Sequence, residues 1–257
     1  MSRIDTVFQK PHHKALIAYV TIGYPSIEST LEIVPALAES GCDIVELGIP
    51  FSDPLADGTT IQEASFQALK NGITPQKCLD IAQKLRAKVD IPLIFMTYYN
   101  PVLHFGLDSF CAAASQAGID GLIIPDLPPD EATALDTNAL KQGIDLIFLL
   151  SPNSTTERIR LVAKKSRGFI YLVSLTGVTG ARENLPAGLE DFVNKVKQET
   201  TKPLCVGFGI STPDQAQRVS NVADGVIVGS RLIQLIRNEE TPYRQTRSFV
   251  NSLRDVL

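Results

Sequence analysis

An acidic residue lies inside an otherwise apolar, β-rich stretch of the chain. Glu46 falls within residues 43–50, among isoleucine, valine and leucine. Burying a carboxylate without a partner is costly, so this group is either structural, paired with a distant lysine or arginine, or kept for chemistry. No basic residue lies nearby in sequence, which favours chemistry. An apolar pocket would raise the pKa of this carboxylate, which suits a general acid or base.

A loop with two more acids follows this stretch directly. Residues 51–58 contain Asp53 and Asp57 together with proline and glycine. Alone, the loop could be an ordinary turn whose aspartates hydrogen-bond to nearby backbone. With Glu46, however, it places two or three carboxylates around one strand end, and carboxylates in different environments can divide acid and base work. We therefore predict acid–base chemistry at this strand end.

Three glycine-bearing strand ends in the second half of the chain predict an anion site. They are residues 176–180, 207–211 and 228–230, and the last leads into a predicted short helix at 231–236. Backbone N–H groups at glycine loops and helix N-termini bind phosphate. The glycines could instead only permit tight turns, but three such loops in one sector of a fold favour a phosphate site.

Aromatic side chains also fall near predicted strand ends, namely those of Tyr98, Tyr171 and Phe208. Aromatic residues at such positions usually belong to the core, but with a flat substrate they could line its pocket. Residues 98–101, which begin with Tyr98, end the third apolar run and predict a shaped loop rather than a source of chemistry.

The elements that must position these residues alternate along the chain. Eight nearly continuous apolar runs, typical of strands buried on both faces, are separated by amphipathic, helix-like segments. The runs cover residues 15–21, 43–47, 93–97, 121–125, 145–150, 169–174, 204–207 and 225–228. They predict an α/β fold, a (β/α)8 TIM barrel, whose active site lies at the carboxyl ends of the strands. A doubly wound open sheet, the alternative, normally has a G-x-G-x-x-G turn, which residues 21–25 lack.

Two elements are extra to a plain barrel. Residues 2–9 predict a short N-terminal helix that would close the barrel bottom. The long segment after the second strand predicts two helices, at 61–69 and 75–88, of which one is extra. Because 257 residues is close to the usual length of a TIM barrel, about 250, we expect one domain over residues 1–257.

Composition excludes several classes of function. The formal net charge is −4 without a basic cluster, so neither nucleic acid nor an anionic membrane is an expected partner. We find no signal peptide and no apolar stretch of about 18 residues, and we expect a cytoplasmic protein, or a stromal one in a plastid. The four cysteines are widely separated and the three histidines lack ligand spacing, which predicts no disulfide and no metal site.

These observations indicate a phosphate-binding barrel that uses carboxylates without a metal or a nucleotide. Sugar-phosphate isomerases, aldolases and lyases all remain possible. No lysine lies inside a predicted strand, which counts against an aldolase that forms a Schiff base.

The same motifs resemble a known family. Residues 46–58 read ELGIPFSDPLADG and, with TIQ at 60–62, are similar to the signature of tryptophan synthase α subunits. The resemblance continues in order over essentially the whole chain, and the first block is its most specific part. The further matching segments are PDLP at 125–128, GVTG at 177–180, GFGI at 207–210 and DGVIVGS at 224–230.

The resemblance implies a lyase that cleaves indole-3-glycerol phosphate to indole and glyceraldehyde 3-phosphate by a retro-aldol step. Glu46 matches the acid–base glutamate that protonates indole C3 and assists deprotonation of the glycerol hydroxyl. Asp57 matches the aspartate that stabilises positive charge on the indole N–H side, and Tyr171 matches a tyrosine close to both glutamate and substrate. No cofactor is implied, since the chemistry needs no electron sink.

The resemblance also implies a substrate-binding set. Its phosphate positions match Gly180, Gly209, Gly229 and Ser230. Aromatic positions near the indole match Phe208 and Tyr19, the latter where many members have phenylalanine. We add Tyr98 to the expected substrate-binding residues because it stands at a strand end.

A partner is implied as well, a β subunit that carries pyridoxal phosphate and uses the indole within an α2β2 complex. Strand-end loops should form the docking surface, and the candidates are Asp53, Pro54, Asn100, Pro101 and Pro128. Two alternatives remain open: a stand-alone indole-releasing lyase, and a non-catalytic partner that only regulates a β subunit.

Overall fold

The computed structural model describes residues 1–173, 188–207, 209–239 and 241–257, which form nine strands, all pairing in parallel, and twelve helices. The strands are β1 (Ala15–Thr21), β2 (Ile44–Gly48), β3 (Leu93–Met96), β4 (Gly121–Ile123), β5 (Asp145–Ile147), β6 (Leu149–Leu150), β7 (Ile170–Val173), β8 (Leu204–Gly207) and β9 (Gly225–Val228). The helices are α1 (Arg3–Phe8), α2 (Ile27–Glu39), α3 (Thr59–Lys70), α4 (Pro75–Arg86), α5 (Tyr99–Phe105), α6 (Leu107–Gln116), α7 (Thr133–Lys141), α8 (Thr156–Lys165), α9 (Leu189–Lys197), α10 (Pro213–Ser220), α11 (Ser230–Arg237) and α12 (Arg244–Arg254).

The strands form the TIM barrel that the sequence predicts, with one departure in the fifth run. The sheet order is β5-β4-β3-β2-β1-β9-β8-β7-β6, so its two end strands are halves of one sequence run, interrupted only at Phe148. β5 pairs with β4, whereas β6 pairs with β7. The N–H of Phe148 leaves the ladder and donates to the Ser166 hydroxyl at 3.1 Å. The run thus changes pairing partner at this residue, which closes the barrel.

Two apolar layers hold the barrel together. Side chains on alternate strand positions point inward, and those in the inner layer include Ile17, Ile44 and Ile94, all fully buried. The other positions pack outward beneath the helices. α1 adds Ile4 and Val7 to the inner layer, and therefore plugs the interior as the predicted N-terminal helix should.

Three aspartates tie neighbouring strands together where those strands begin. Each stands directly before β2, β4 or β9, and its carboxylate accepts a backbone N–H from the adjacent strand. The donor–acceptor pairs are Leu16 to Asp43 at 2.9 Å, Leu93 to Asp120 at 2.9 Å and Leu204 to Asp224 at 3.0 Å. These three carboxylates therefore stabilise the fold at the end of the barrel opposite to the one where TIM barrels place their active sites.

The helices follow the predicted pattern except after β3. α3 and α4 occupy the long segment after β2, as predicted. Residues 98–101, however, are not a loop, because α5 begins at Tyr99. Pro101 is the third residue of this helix, where its missing N–H would have no intrahelical acceptor, so the proline does not prevent helix formation. None of the described helices is long and apolar enough to span a bilayer.

Candidate active site

The carboxyl ends of the strands surround a cavity of about 560 Å³. Predicted site residues from β1, β2, β7 and the loops after β2, β8 and β9 meet there, although they are far apart in sequence. These residues are Tyr19, Glu46, Asp57, Tyr171, Gly209, Gly229 and Ser230. The remaining lining residues are Ile61, Met96, Ile210, Ile227 and Arg231.

Glu46 points from β2 into this cavity. It stands two positions after the inward-facing Ile44 and lies in register with Tyr19 of β1 and Ile94 of β3. The residue is 0% exposed, and neither carboxylate oxygen has a hydrogen-bond partner among the residues that the structure describes. Burial raises its pKa from 4.5 to about 8. The structural pairing that could have explained this glutamate is therefore not found in the described part of the chain.

Asp57 reaches the cavity from the loop between β2 and α3. Burial raises its pKa from 3.8 to about 6, and a hydrogen bond with the Tyr98 hydroxyl opposes that rise. The side chain of Gln62 fixes the loop by donating to the Asp57 carbonyl at 2.9 Å. With these pKa values, Glu46 is mainly protonated and Asp57 mainly ionised at neutral pH. Two acids in one cavity thus start in opposite protonation states.

Tyr98 lies behind Asp57, in a smaller adjoining cavity. Its hydroxyl accepts the backbone N–H of Ala56 at 2.9 Å, and its ring lies 5.4 Å from that of Phe51, centroid to centroid. The structure therefore places Tyr98 as a brace for the Asp57 loop. Direct contact between Tyr98 and substrate stays a prediction.

Tyr19 and Tyr171 lean over glycines on neighbouring strands. A Cβ on Gly48 would lie 2.1 Å from the Tyr19 hydroxyl, and one on Gly207 would lie 2.3 Å from the Tyr171 hydroxyl. These glycines therefore provide room for the tyrosine rings, a role distinct from anion binding. Burial first, and the charges of nearby carboxylates second, raise the pKa of both hydroxyls. Both tyrosines consequently stay protonated near neutral pH.

The opposite side of the cavity is formed by the glycine loops. Gly209 follows β8 with φ +80°, a conformation that favours glycine. Gly229 is the N-cap of α11 and Ser230 is its first residue. The first N–H groups of a helix have no intrahelical acceptor and attract anions. Gly180, Phe208 and the whole loop at 176–180 lie outside the described residues.

Five lining residues were not predicted. Four are apolar, and from sequence they cannot be distinguished from core residues: Ile61, Met96, Ile210 and Ile227. The fifth, Arg231, could have been predicted from sequence, because it is a cation in the first turn of a helix, directly after a glycine–serine pair. Within the described ranges, no group of three or more histidine, cysteine, aspartate or glutamate side chains could hold a metal ion.

Comparison with known proteins identifies the family of the chain. A model of the family described as tryptophan synthase alpha chain matches residues 6–255. The chain belongs to the tryptophan synthase alpha chain family. A tryptophan synthase alpha chain of Dehalococcoides mccartyi is 58% identical over 257 residues and covers 100% of both chains. One from Geobacter sulfurreducens is 47% identical over 262 residues, with 100% of this chain and 99% of the relative covered.

Solved structures of the tryptophan synthase alpha chain family share the fold. A tryptophan synthase structure from Mycobacterium tuberculosis is 38% identical, with a TM-score of 0.92, covering 99% of this chain and 97% of that chain. Tryptophan synthase subunit alpha from Legionella pneumophila is 36% identical, with a TM-score of 0.92, covering 100% and 98%. The resemblance seen in the sequence motifs is thus confirmed over the whole chain. The alpha subunit cleaves indole-3-glycerol phosphate, so the chain is a lyase.

Proposed function

We propose that Glu46 and Asp57 together carry out the retro-aldol cleavage of indole-3-glycerol phosphate to indole and glyceraldehyde 3-phosphate. The observation that carries this assignment is the pair itself. Two carboxyl groups share one cavity, and burial leaves Glu46 with a pKa of about 8 and Asp57 with one of about 6. An acid and an anion are therefore both present at neutral pH.

The reaction follows from these protonation states. Protonated Glu46 donates its proton to indole C3, and the ring nitrogen becomes positively charged. Ionised Asp57 stabilises this charge, and because both carboxyl groups are largely buried, their electrostatic interactions with the ring are stronger than in bulk water. The Glu46 carboxylate then accepts the proton of the adjacent glycerol hydroxyl as the carbon–carbon bond breaks. The electron pair of that bond returns to the ring, and indole and the aldehyde are released with Glu46 protonated again.

The remaining predicted residues bind and orient the substrate in this proposal. The N–H groups near Gly209, Gly229 and Ser230 hold the phosphate, as the resemblance also implies for Gly180. Tyr19 and Tyr171 contact the indole side of the cavity beside the two carboxyl groups, and Phe208 is expected to contribute there. The positions of Tyr19 and Tyr171 over Gly48 and Gly207 support this arrangement.

The test is indole release by the purified chain. Glu46→Gln removes the transferable proton and Asp57→Asn removes the negative charge, so each should lower kcat by about 10²–10⁴-fold, the usual worth of acid–base catalysis. Asp53→Asn is a matched control, because Asp53 is exposed on the same loop and does not line the cavity. Near-native turnover in a folded Glu46→Gln or Asp57→Asn variant would remove that residue from the mechanism.

We further infer that a β subunit docks beside the active-site loop, as in the α2β2 complex expected for the family. Two large apolar side chains are exposed there, Leu55 at 90% and Phe66 at 61%. They line a surface concavity of about 1440 Å³ together with Asp53 and Pro54, both among the predicted docking residues. Contiguous exposed apolar surface marks interaction sites. The other predicted docking residues, Asn100, Pro101 and Pro128, follow β3 and β4 at the same barrel end.

Titration with a β subunit distinguishes this proposal from a stand-alone lyase. Leu55→Ser should raise the concentration of β subunit needed to activate indole release by about tenfold, because apolar area is lost from the interface. Leu140→Ser is the matched control, since Leu140 is 62% exposed near the end of α7 and outside that concavity. Wild-type activity that does not change with β subunit would instead support the stand-alone form.

We also infer that residues 1–257 act as one domain in a reducing compartment, the cytoplasm or a plastid stroma. Arg254 of α12 supports one domain, because its guanidinium donates to the carboxylate of Asp43, directly before β2, at 2.9 Å. Buried, free Cys42, Cys78, Cys111 and Cys205 support a reducing compartment.

A further inference from the structure

One residue that lines the active-site cavity has a cationic side chain that the carboxylate chemistry does not use. Arg231, partly buried, lines the cavity beside Gly229 and Ser230. Its guanidinium has no hydrogen bond or ion pair with any residue of the described ranges. Arg237, at the other end of the same helix, in contrast contacts Glu63 and Tyr24. Arg231 therefore belongs to the cavity lining and has guanidinium donors that are unpaired within the described ranges.

The position of Arg231 in its helix is unfavourable without an anion. It is the second residue of α11, where the helix dipole repels a positive charge, and the first turn contains no acidic residue to offset it. A bound anion would reverse this effect, because it would interact with both the guanidinium and the first-turn N–H groups. The placement thus indicates a negatively charged ligand at this helix end.

A second observation shows that the cavity is built to receive a ligand. Glu46 is 0% exposed, lines the same cavity, and has two carboxylate oxygens without a hydrogen-bond partner in the described part of the chain. Buried polar atoms of a folded protein are nearly always hydrogen-bonded. These oxygens are therefore available to hydrogen-bond a ligand in the cavity.

Arg231 does not serve these carboxylates itself. Neither Glu46 nor Asp57 forms an ion pair with it within the described residues. The pKa of Glu46 is raised by burial alone, whereas a close cation would lower it. The cationic and acidic groups therefore act on different parts of a ligand.

We propose that Arg231 is a specificity-determining residue that binds the phosphate of the substrate and thereby selects a phosphorylated substrate. This proposal rests on the proposed function and deepens it. Glycine-loop N–H groups are neutral donors, whereas a guanidinium adds a full charge and a planar pair of donors that match two phosphate oxygens. A phosphate monoester carries about −1.5 to −2 charges at pH 7, so Arg231 favours it over a neutral hydroxyl.

The test compares Arg231→Gln with wild type in two assays. In the first, KM for indole-3-glycerol phosphate should rise about 10–100-fold, the worth of a charged hydrogen bond, while kcat at saturation stays within about twofold. In the second, titration calorimetry with inorganic phosphate should show a matching loss of affinity. Arg231→Lys keeps the charge but not the planar pair of donors, so its KM and phosphate affinity should lie between those of wild type and Arg231→Gln.

Arg244→Gln is the matched control. Arg244 is also an arginine in a helix first turn, but it is exposed on α12 and does not line the cavity. The Arg244→Gln substitution removes the same charge and should leave KM and phosphate affinity unchanged. Equal losses in both arginine variants would reduce the effect to net charge and overturn the proposal.

Other outcomes separate this proposal from the assignment of Glu46 and Asp57. Unchanged KM and phosphate affinity in Arg231→Gln would overturn the role of Arg231 and leave the carboxylates untouched. A fall in kcat with unchanged KM would also overturn it, because Arg231 would then act on the chemistry. Phosphate binding that weakens in Arg231→Gln supports the proposal even if Glu46→Gln remains active, since calorimetry does not depend on cleavage.

Discussion

The Tyr98 hydroxyl accepts the backbone N–H of Ala56 at 2.9 Å, one residue before Asp57. The same hydroxyl hydrogen-bonds to the Asp57 carboxylate and partly offsets the rise in its pKa that burial causes. Tyr98 follows β3 as the N-cap residue of α5, whereas Ala56 and Asp57 belong to the loop after β2. A side chain at the start of α5 thus holds the loop that carries Asp57 in place.

Tyr98→Phe should therefore lower turnover without touching substrate chemistry directly. Loss of one hydrogen bond, worth about 1 kcal/mol, should reduce kcat roughly fivefold to tenfold. The acidic limb of the pH profile should also move to higher pH, because the ionised form of Asp57 loses a donor. A variant with lower kcat but an unshifted limb would show that Tyr98 acts only as packing.

The pH dependence of kcat/KM should be bell-shaped. Activity should rise through about pH 6, where Asp57 becomes ionised, and fall through about pH 8, where Glu46 loses its proton. Steady-state indole release across this range measures both limbs. In the residual activity of Asp57→Asn the lower limb should vanish while the upper limb remains, and persistence of the lower limb would assign it to another group.

Glu46 should also make the stability of the fold depend on pH. Because its pKa is about 8 when folded and 4.5 ordinarily, the folded chain binds this proton more tightly than the unfolded chain. Its contribution is fully present below pH 4.5 and is lost as the pH rises through about 8. As the pH rises from acidic to alkaline, the free energy of unfolding of Glu46→Gln should therefore increase by a few kcal/mol relative to that of wild type.

Urea unfolding of Glu46→Gln and wild type at several pH values measures that difference. Asp53→Asn, on the exposed part of the neighbouring loop, is the control and should follow wild type throughout. A constant difference between Glu46→Gln and wild type at all pH values would mean that the Glu46 carboxyl does not hold its proton in the folded chain.

Gly207→Ala should disturb the active site through Tyr171. The added Cβ would lie 2.3 Å from the tyrosine hydroxyl, so the buried ring must move. Overpacking of this kind costs about 1–3 kcal/mol, and a displaced Tyr171 should lower kcat as well. Urea unfolding and indole release on one preparation test both effects, and unchanged values would contradict the contact.

The sequence by itself determined the barrel and the acids. Eight apolar runs separated by amphipathic segments predict the (β/α)8 fold because buried parallel strands and helices have distinct local periodicities. Glu46 stands inside such a run with no cation nearby in sequence, so its burial followed from local composition, and its chemical role was predicted from the same pattern. Local sequence patterns likewise predicted the N-terminal helix α1 and the two helices after β2, α3 and α4, of which one is extra to a plain barrel.

Only the tertiary structure decided which groups share the cavity and which brace it. Arg231 joins Glu46 there, and Tyr98 stands behind Asp57, because closure of the barrel brings distant strand ends together. The change of pairing at Phe148 depends on Ser166, eighteen residues further along the chain. Local periodicity cannot report such contacts, since they arise only when hydrogen bonding between strands fixes the spatial order of segments that sequence leaves far apart.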